Sequence, residues 1–118
     1  MKTEFDTFRI KQGKEARAKE WMQLLVSRKS ECIETLNREK MGFETIFMTE
    51  KDGRMYLSWF SVQGESGESV DHSELEIDKL HCEFWDECID TSFELDKFEH
   101  VVTFVPAAVE AALLEATK

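Results

Sequence analysis

Six side chains carry most of the chemistry that this chain could perform. His81 sits in the stretch Ile77-Asp78-Lys79-Leu80-His81-Cys82-Glu83-Phe84-Trp85, one helical turn after Ile77 and one before Trp85. An imidazole beside an indole in an apolar setting can orient a polar ligand or act as a base. The plainer reading is a half-buried histidine bonded to a backbone carbonyl. Glu44 stands between Gly42 and Ile46 on a β-patterned run, on the face shared with Met48. A carboxylate on an apolar sheet face acquires a raised pKa and could serve as a general base; the ordinary alternative is a sheet rim in water. Arg9 shares a strand face with Phe5 and could bind an anionic ligand or neutralise Glu44, against the simpler reading of a surface ion pair. Trp59 and Tyr56 could line a pocket, although aromatics on a central hairpin are first of all core.

Other chemistries have less support. Cys32, Cys82 and Cys88 are an odd number without a framework spacing, as expected of thiols in a reducing compartment. His81 and Cys82 are adjacent and project differently from a helix, and His81 and Cys88 lie two turns apart. With no CxxC or HxxxH spacing, no metal site is expected. No GxSxG, P-loop or dinucleotide glycine motif occurs, so no cofactor is expected either. The segment Gly64 to Asp71 reads as a loop with the look of a lid. Its Glu65, Glu68 and Asp71 would repel a phosphate.

The elements that must position these residues follow from period and turn chemistry. Phe5 to Ile10 alternates and reads as a first strand, ended by Gly13. Lys14 to about Asn37 is one long helical pattern on Trp21, Leu24, Leu25, Cys32 and Leu36, a stripe widened by Met22, Val26 and Ile33. Met41 to Thr49 and Met55 to Gln63 are strands joined by the Asp-Gly turn at Lys51 to Arg54. Both carry bulk on both faces, so something must cover each side. Ser73-Glu74-Leu75-Glu76 reads as a capping box opening a second helix to about Ile89. A fourth strand is expected within Phe93 to Val105, clearest at His100 to Val105. Pro106 suits the first turn of a last helix, Ala107 to Ala116. The predicted fold is α+β: a ferredoxin-like βαββαβ arrangement with a four-stranded antiparallel sheet, two helices on one face and a C-terminal helix.

Length and charge bound the rest. The 118 residues fit a single domain, 1–118, with 42% hydrophobic residues and no apolar run near the roughly 20 that span a bilayer. The charged N-terminus has no signal-peptide core, so a cytoplasmic protein is expected. The net charge of −10 argues against nucleic acid and against an anionic membrane surface. The charge is uneven: residues 1–40 hold ten Lys/Arg against seven Asp/Glu, and residues 65–99 hold thirteen Asp/Glu against two Lys. The basic first helix and the acidic second helix are therefore expected side by side.

Arg9-Ile10-Lys11 followed by Gly13-Lys14-Glu15 and Trp21 resembles the dimeric α/β-barrel superfamily. Arg38 to Glu44, Tyr56 to Gly64 and Ile77 to His81 resemble more closely an uncharacterised bacterial domain of unknown function within it. The resemblance implies the fold above and a homodimer closing a barrel-like core, and it implies no reaction. A homodimer is also expected from the bulky second sheet face and the apolar last helix. Two functional classes stand. The first is a small-molecule binder or cofactor-free enzyme with a pocket between sheet and helices, lined by His81, Trp85, Trp59 and Tyr56, with Glu44 or Arg9 as polar anchors. The second is an interaction module with a solid interior that docks a partner on its acidic surface.

Overall fold

The computed structural model describes residues 1–65 and 73–118. The elements run β1 (Lys2–Arg9), α1 (Glu15–Ser27), α2 (Lys29–Glu39), β2 (Met41–Lys51), β3 (Arg54–Gln63), α3 (Glu76–Cys88) and α4 (Ala107–Ala116). The sheet is three-stranded and antiparallel in the order β1-β3-β2. β1 pairs with β3 from Lys2–Gln63 to Arg9–Tyr56, and β2 pairs with β3 from Met41–Gln63 to Lys51–Arg54. The hairpin turn is of the primed kind, since Asp52 and Gly53 both have positive φ (53° and 75°). That geometry matches the right-handed twist of the strands it joins.

The period of two places Phe8, Leu57, Trp59 and Ile46 on one sheet face, where they pack with Trp21, Phe84, Cys88 and Ala18 of the helices. Trp21 is fully buried at the centre and stacks on Phe84, with centroids 6.3 Å apart and planes 5° apart. The Arg17 guanidinium also lies over the Phe84 ring, 4.2 Å from its centroid. The basic first helix does run beside the acidic α3: Lys14 and Arg17 both pair with Glu87, and Arg28 with Glu76 at 3.1 Å.

The four-stranded ferredoxin-like arrangement is corrected by this topology. His100 to Val105 forms no strand among the described residues, and Val101 and Phe104 are 85% and 88% exposed. The reason lies where the chain leaves α3. It touches the end of β1 through a single bridge, Ile10 to Ile89, with Asp90 N–H donating to the Arg9 carbonyl at 2.8 Å. Asp90 then accepts from Ser92 N–H at 3.0 Å, a turn that redirects the chain. Past it, Phe93 packs on Tyr56 and Phe98 on Phe5, across the second sheet face instead of along the β1 edge. Strand propensity has no effect without a ladder to join.

Three smaller expectations also change. The long helix breaks at Arg28 (φ −112°, ψ 35°), where Ser27 Oγ donates to the Leu24 carbonyl, and Val26 and Ile33 end up exposed. α3 starts at Glu76; Ser73 Oγ instead accepts from Leu75 N–H at 3.1 Å, so no reciprocal capping box forms. Most of the presumed Gly64-to-Asp71 lid lies outside the described residues. α4 closes against β2, where Gly42 leaves room for Leu113 and Gly64 for the Thr117 carbonyl.

Candidate functional site

Between the helix-bearing sheet face and the helices α2 and α3 lies a cavity of about 380 Å³. Each wall follows from a simple periodicity. β1 contributes Glu4, Asp6 and Phe8, β2 contributes Glu44 and Ile46, and β3 contributes Trp59 and Ser61, all by alternation. On α3 the positions 78, 81 and 85 share one face, so Asp78, His81 and Trp85 look onto the same space. α2 adds Lys29, Cys32, Thr35 and Glu39 from its sheet-facing side.

The apolar part is an aromatic corner. Trp59 and Trp85 stand 5.5 Å apart, and Phe8 meets Trp85 edge-on at 4.7 Å. His81 lies 5.9 Å from Trp59 and 6.2 Å from Trp85. Behind it, the Trp21 indole N–H donates to His81 Nδ1 at 3.0 Å. An indole nitrogen only donates, so Nδ1 is the acceptor and the neutral ring carries its proton on Nε2. The buried core thus fixes both the plane and the tautomer of the imidazole.

The polar part is acidic. Five carboxylates line the cavity (Glu4, Asp6, Glu39, Glu44 and Asp78) against one ammonium, Lys29. Burial, reinforced by Glu44 and Asp78, raises the Glu39 carboxyl to about 7. Burial also raises Glu44, with the Trp59 indole pulling the other way. By area Glu44 is exposed, yet protein crowds its carboxyl; the open surface belongs to a side chain that lines the cavity. Asp6 is raised by burial and by neighbouring Glu4. The Cys32 thiol is raised by burial and then by Asp78 and Glu44, which makes it a poor nucleophile. Asp78 is only 5% exposed, and among the described residues its carboxylate accepts no hydrogen bond and joins no ion pair.

Of the residues singled out from sequence, Trp59, His81, Trp85 and Glu44 meet in this cavity. Tyr56 and Arg9 do not reach it. They are register partners on the opposite sheet face, where Arg9 pairs with Asp90 at 2.9 Å and lies over Phe93 at 4.8 Å. Arg9 and Glu44 are separated by the sheet, and alternation alone already places them on opposite faces. Sequence reasoning passed over Glu39, Asp78 and Asp6. The spacing 78-81-85 was the available signal for Asp78; Glu39 is drawn in only because α2 ends over β2.

Fold and site together define a small α+β protein with an aromatic and acidic cavity between a three-stranded sheet and its helices. The cavity can hold a small molecule, and Glu39, raised to about 7, can exchange protons near neutral pH. The chain belongs to the DUF6176 family, a family of unknown function, whose model matches residues 1–111. Among curated proteins and among solved structures, nothing matches the chain. Among the described residues, no helix is long and apolar enough to cross a membrane.

Proposed function

We propose that the protein binds a small molecule in the cavity between the sheet and α2 and α3. One observation carries the reading: a half-open cleft of about 380 Å³ between sheet and helices is walled by Trp59, Trp85, His81 and Asp78. Cavities of this size with aromatic walls and a few convergent polar groups are the usual form of small-molecule sites. An interior filled by side chains, as an interaction module would have, does not leave such a space. Thermal-shift screening of a chemically mixed library against wild type, His81→Ala and Trp59→Phe tests it. A ligand of this cavity stabilises wild type more than either variant. Hits that stabilise all three equally bind elsewhere and end the reading.

Proton transfer inside the same cavity is the second reading, favoured by Glu39 standing near 7, where a carboxyl is both acid and base at neutral pH. A homodimer belongs to the proposal as well. The second sheet face shows Phe5, Phe43 and Phe47 at 39%, 38% and 61% exposure, and α4 has no buried residue. The charged strand side chains on that face, Arg9, Lys51 and Arg54, are all basic, and Arg9 and Arg54 share Asp90, so in a chain of net charge −10 it is the face where two copies meet with least repulsion. Light scattering at micromolar concentration reports twice the 13.8 kDa chain mass if this holds, and the chain mass itself if it does not. A cytoplasmic setting suits the same reading, since Cys32 and Cys88 carry free thiols.

A further inference from the structure

We infer that the ligand of this cavity is a small aliphatic amine carrying more than one ammonium group, its charges held by Glu44, Glu39 and Asp78 and its carbon chain laid against Trp59 and Trp85. This deepens the cavity reading and rests on it.

The argument begins with charge. Five carboxylates face one lysine across a few hundred cubic ångström, so the lining carries a large excess of negative charge. Like charges lining one cleft repel, and the partners that Glu4, Glu39 and Glu44 have (Gln63, Thr35 and Trp59) are neutral donors that leave the negative charge unbalanced. An anionic ligand would worsen the imbalance, and a neutral one would leave it. A single cation corrects part of it; two cationic nitrogens correct more.

Asp78 supplies an independent observation. It is only 5% exposed and lines the cavity; its N–H donates to the Leu75 carbonyl, but its carboxylate has no hydrogen bond or ion pair among the described residues. No described side-chain oxygen is both buried and without a partner, so the Asp78 carboxylate opens onto the cavity alone, and an ammonium placed there gives it the protein-side hydrogen bond it does not have. The walls select further. Trp faces attract cations through their negative π-clouds while accepting methylene groups, so the Trp59–Trp85 corner suits a chain that is apolar between its charged ends. A metal ion does not fit equally well: among the described residues no three carboxylate, imidazole or thiol groups gather around one point. The acidic groups are spread along the walls, as a ligand with separated charges requires.

Proton coupling follows from the neighbours of Glu39. Facing it across the cavity are Glu4 and Asp6 from β1, Glu44 from β2, Lys29 and Cys32 from α2, and Asp78 and His81 from α3. Burial first, and then the charges of Glu44 and Asp78, leave Glu39 partly protonated near neutral pH. An arriving ammonium favours its ionised form, so binding releases protons.

The test compares four compounds on one four-carbon frame by isothermal titration calorimetry at low salt and neutral pH: 1,4-diaminobutane, n-butylamine, 1,4-butanediol and succinate. The diamine is expected to bind at least about tenfold more tightly than the monoamine, which binds more tightly than the diol, with succinate not bound. Glu44→Gln and Asp78→Asn, which keep shape and remove charge, each weaken the diamine at least about tenfold and leave the diol unchanged. Circular dichroism confirms that both variants fold. In wild type the apparent heat for the diamine differs between phosphate and Tris buffers by the protons released; in Glu39→Gln that difference shrinks. If the diol or succinate binds as well as the diamine, or if none of the four binds, the amine inference is overturned. The cavity reading is judged separately, by whether library hits lose their effect in Trp59→Phe.

Discussion

Replacing Glu39 by Gln should make the protein more stable at pH 8 and no different at pH 4. Glu39 ionises near 7 in the folded chain, against an ordinary value of 4.5, because burial and the carboxylates of Glu44 and Asp78 disfavour its charge. The sign is that of a carboxyl raised on folding. Between 4.5 and about 7 the folded state holds the proton more tightly than the unfolded state, so stability falls as pH rises through that window. Each tenfold change in proton affinity is worth about 1.4 kcal/mol, so the displacement sets a ceiling of about 3.4 kcal/mol. Glu39 is only half-buried and borders a solvent-accessible cavity, which reduces the expected gain to about 1–2 kcal/mol. Gln keeps the shape and never ionises, so the variant escapes the loss. Urea denaturation at closely spaced pH values from 4 to 8 measures it as the difference between the two stability curves. Glu83→Gln, on the exposed side of α3, removes the same formal charge without relieving burial and should leave the curve nearly unchanged. Parallel curves for wild type and Glu39→Gln, or a variant less stable at pH 8, would refute the electrostatic account of the cavity.

Three further outcomes are expected. Leu57→Ala, at a fully buried position under Trp21, should cost about 2–5 kcal/mol by urea denaturation; a cost near zero would mean the sheet face is loosely packed. Asp90 is held at about 2 by Ser92 and Arg9, below its ordinary 3.8. Its contribution is therefore present above pH 3.8 and lost as pH falls through about 2, and Asp90→Ala should remove that part of the acid sensitivity while raising amide hydrogen exchange at Phe93, whose N–H bonds the Asp90 carbonyl. Gly64→Ala should cost about 1–3 kcal/mol and detach the end of α4, because a Cβ there would run into the Thr117 carbonyl; unchanged hydrogen exchange at Thr117 would contradict that placement.

Much of this fold is local physics, and local physics is legible in a sequence. The alternation from Phe43 to Met48 and from Tyr56 to Val62 assigns each side chain its face, and Asp52-Gly53 closes that hairpin with the only backbone signs that suit it. Pro106 ahead of an apolar run marks α4. Helical spacing puts His81 and Trp85 on one side of α3, and β alternation puts Trp59 and Glu44 on one side of the sheet. The same alternation sends Arg9 and Tyr56 to the other side. Trp59, Glu44, His81 and Trp85 therefore come from two short-range rules and one packing event.

What the sequence by itself left open are the choices settled between elements far apart along the chain. His100 to Val105 has strand-like composition, yet the Asp90 turn and the contacts of Phe93 with Tyr56 and Phe98 with Phe5 carry the chain over a face instead of along an edge. The break at Arg28 separates a helix that buries Trp21 from one that buries Thr35, and the ion pair from Arg28 to Glu76 forms only once α3 is in place. The acidity of the cavity has the same origin. Glu39, Glu44 and Asp78 lie on three different elements, and no sequence spacing links them. Their mutual repulsion exists only because α2, β2 and α3 converge, and an electrostatic coupling through space is set by distance and burial, which tertiary structure alone supplies.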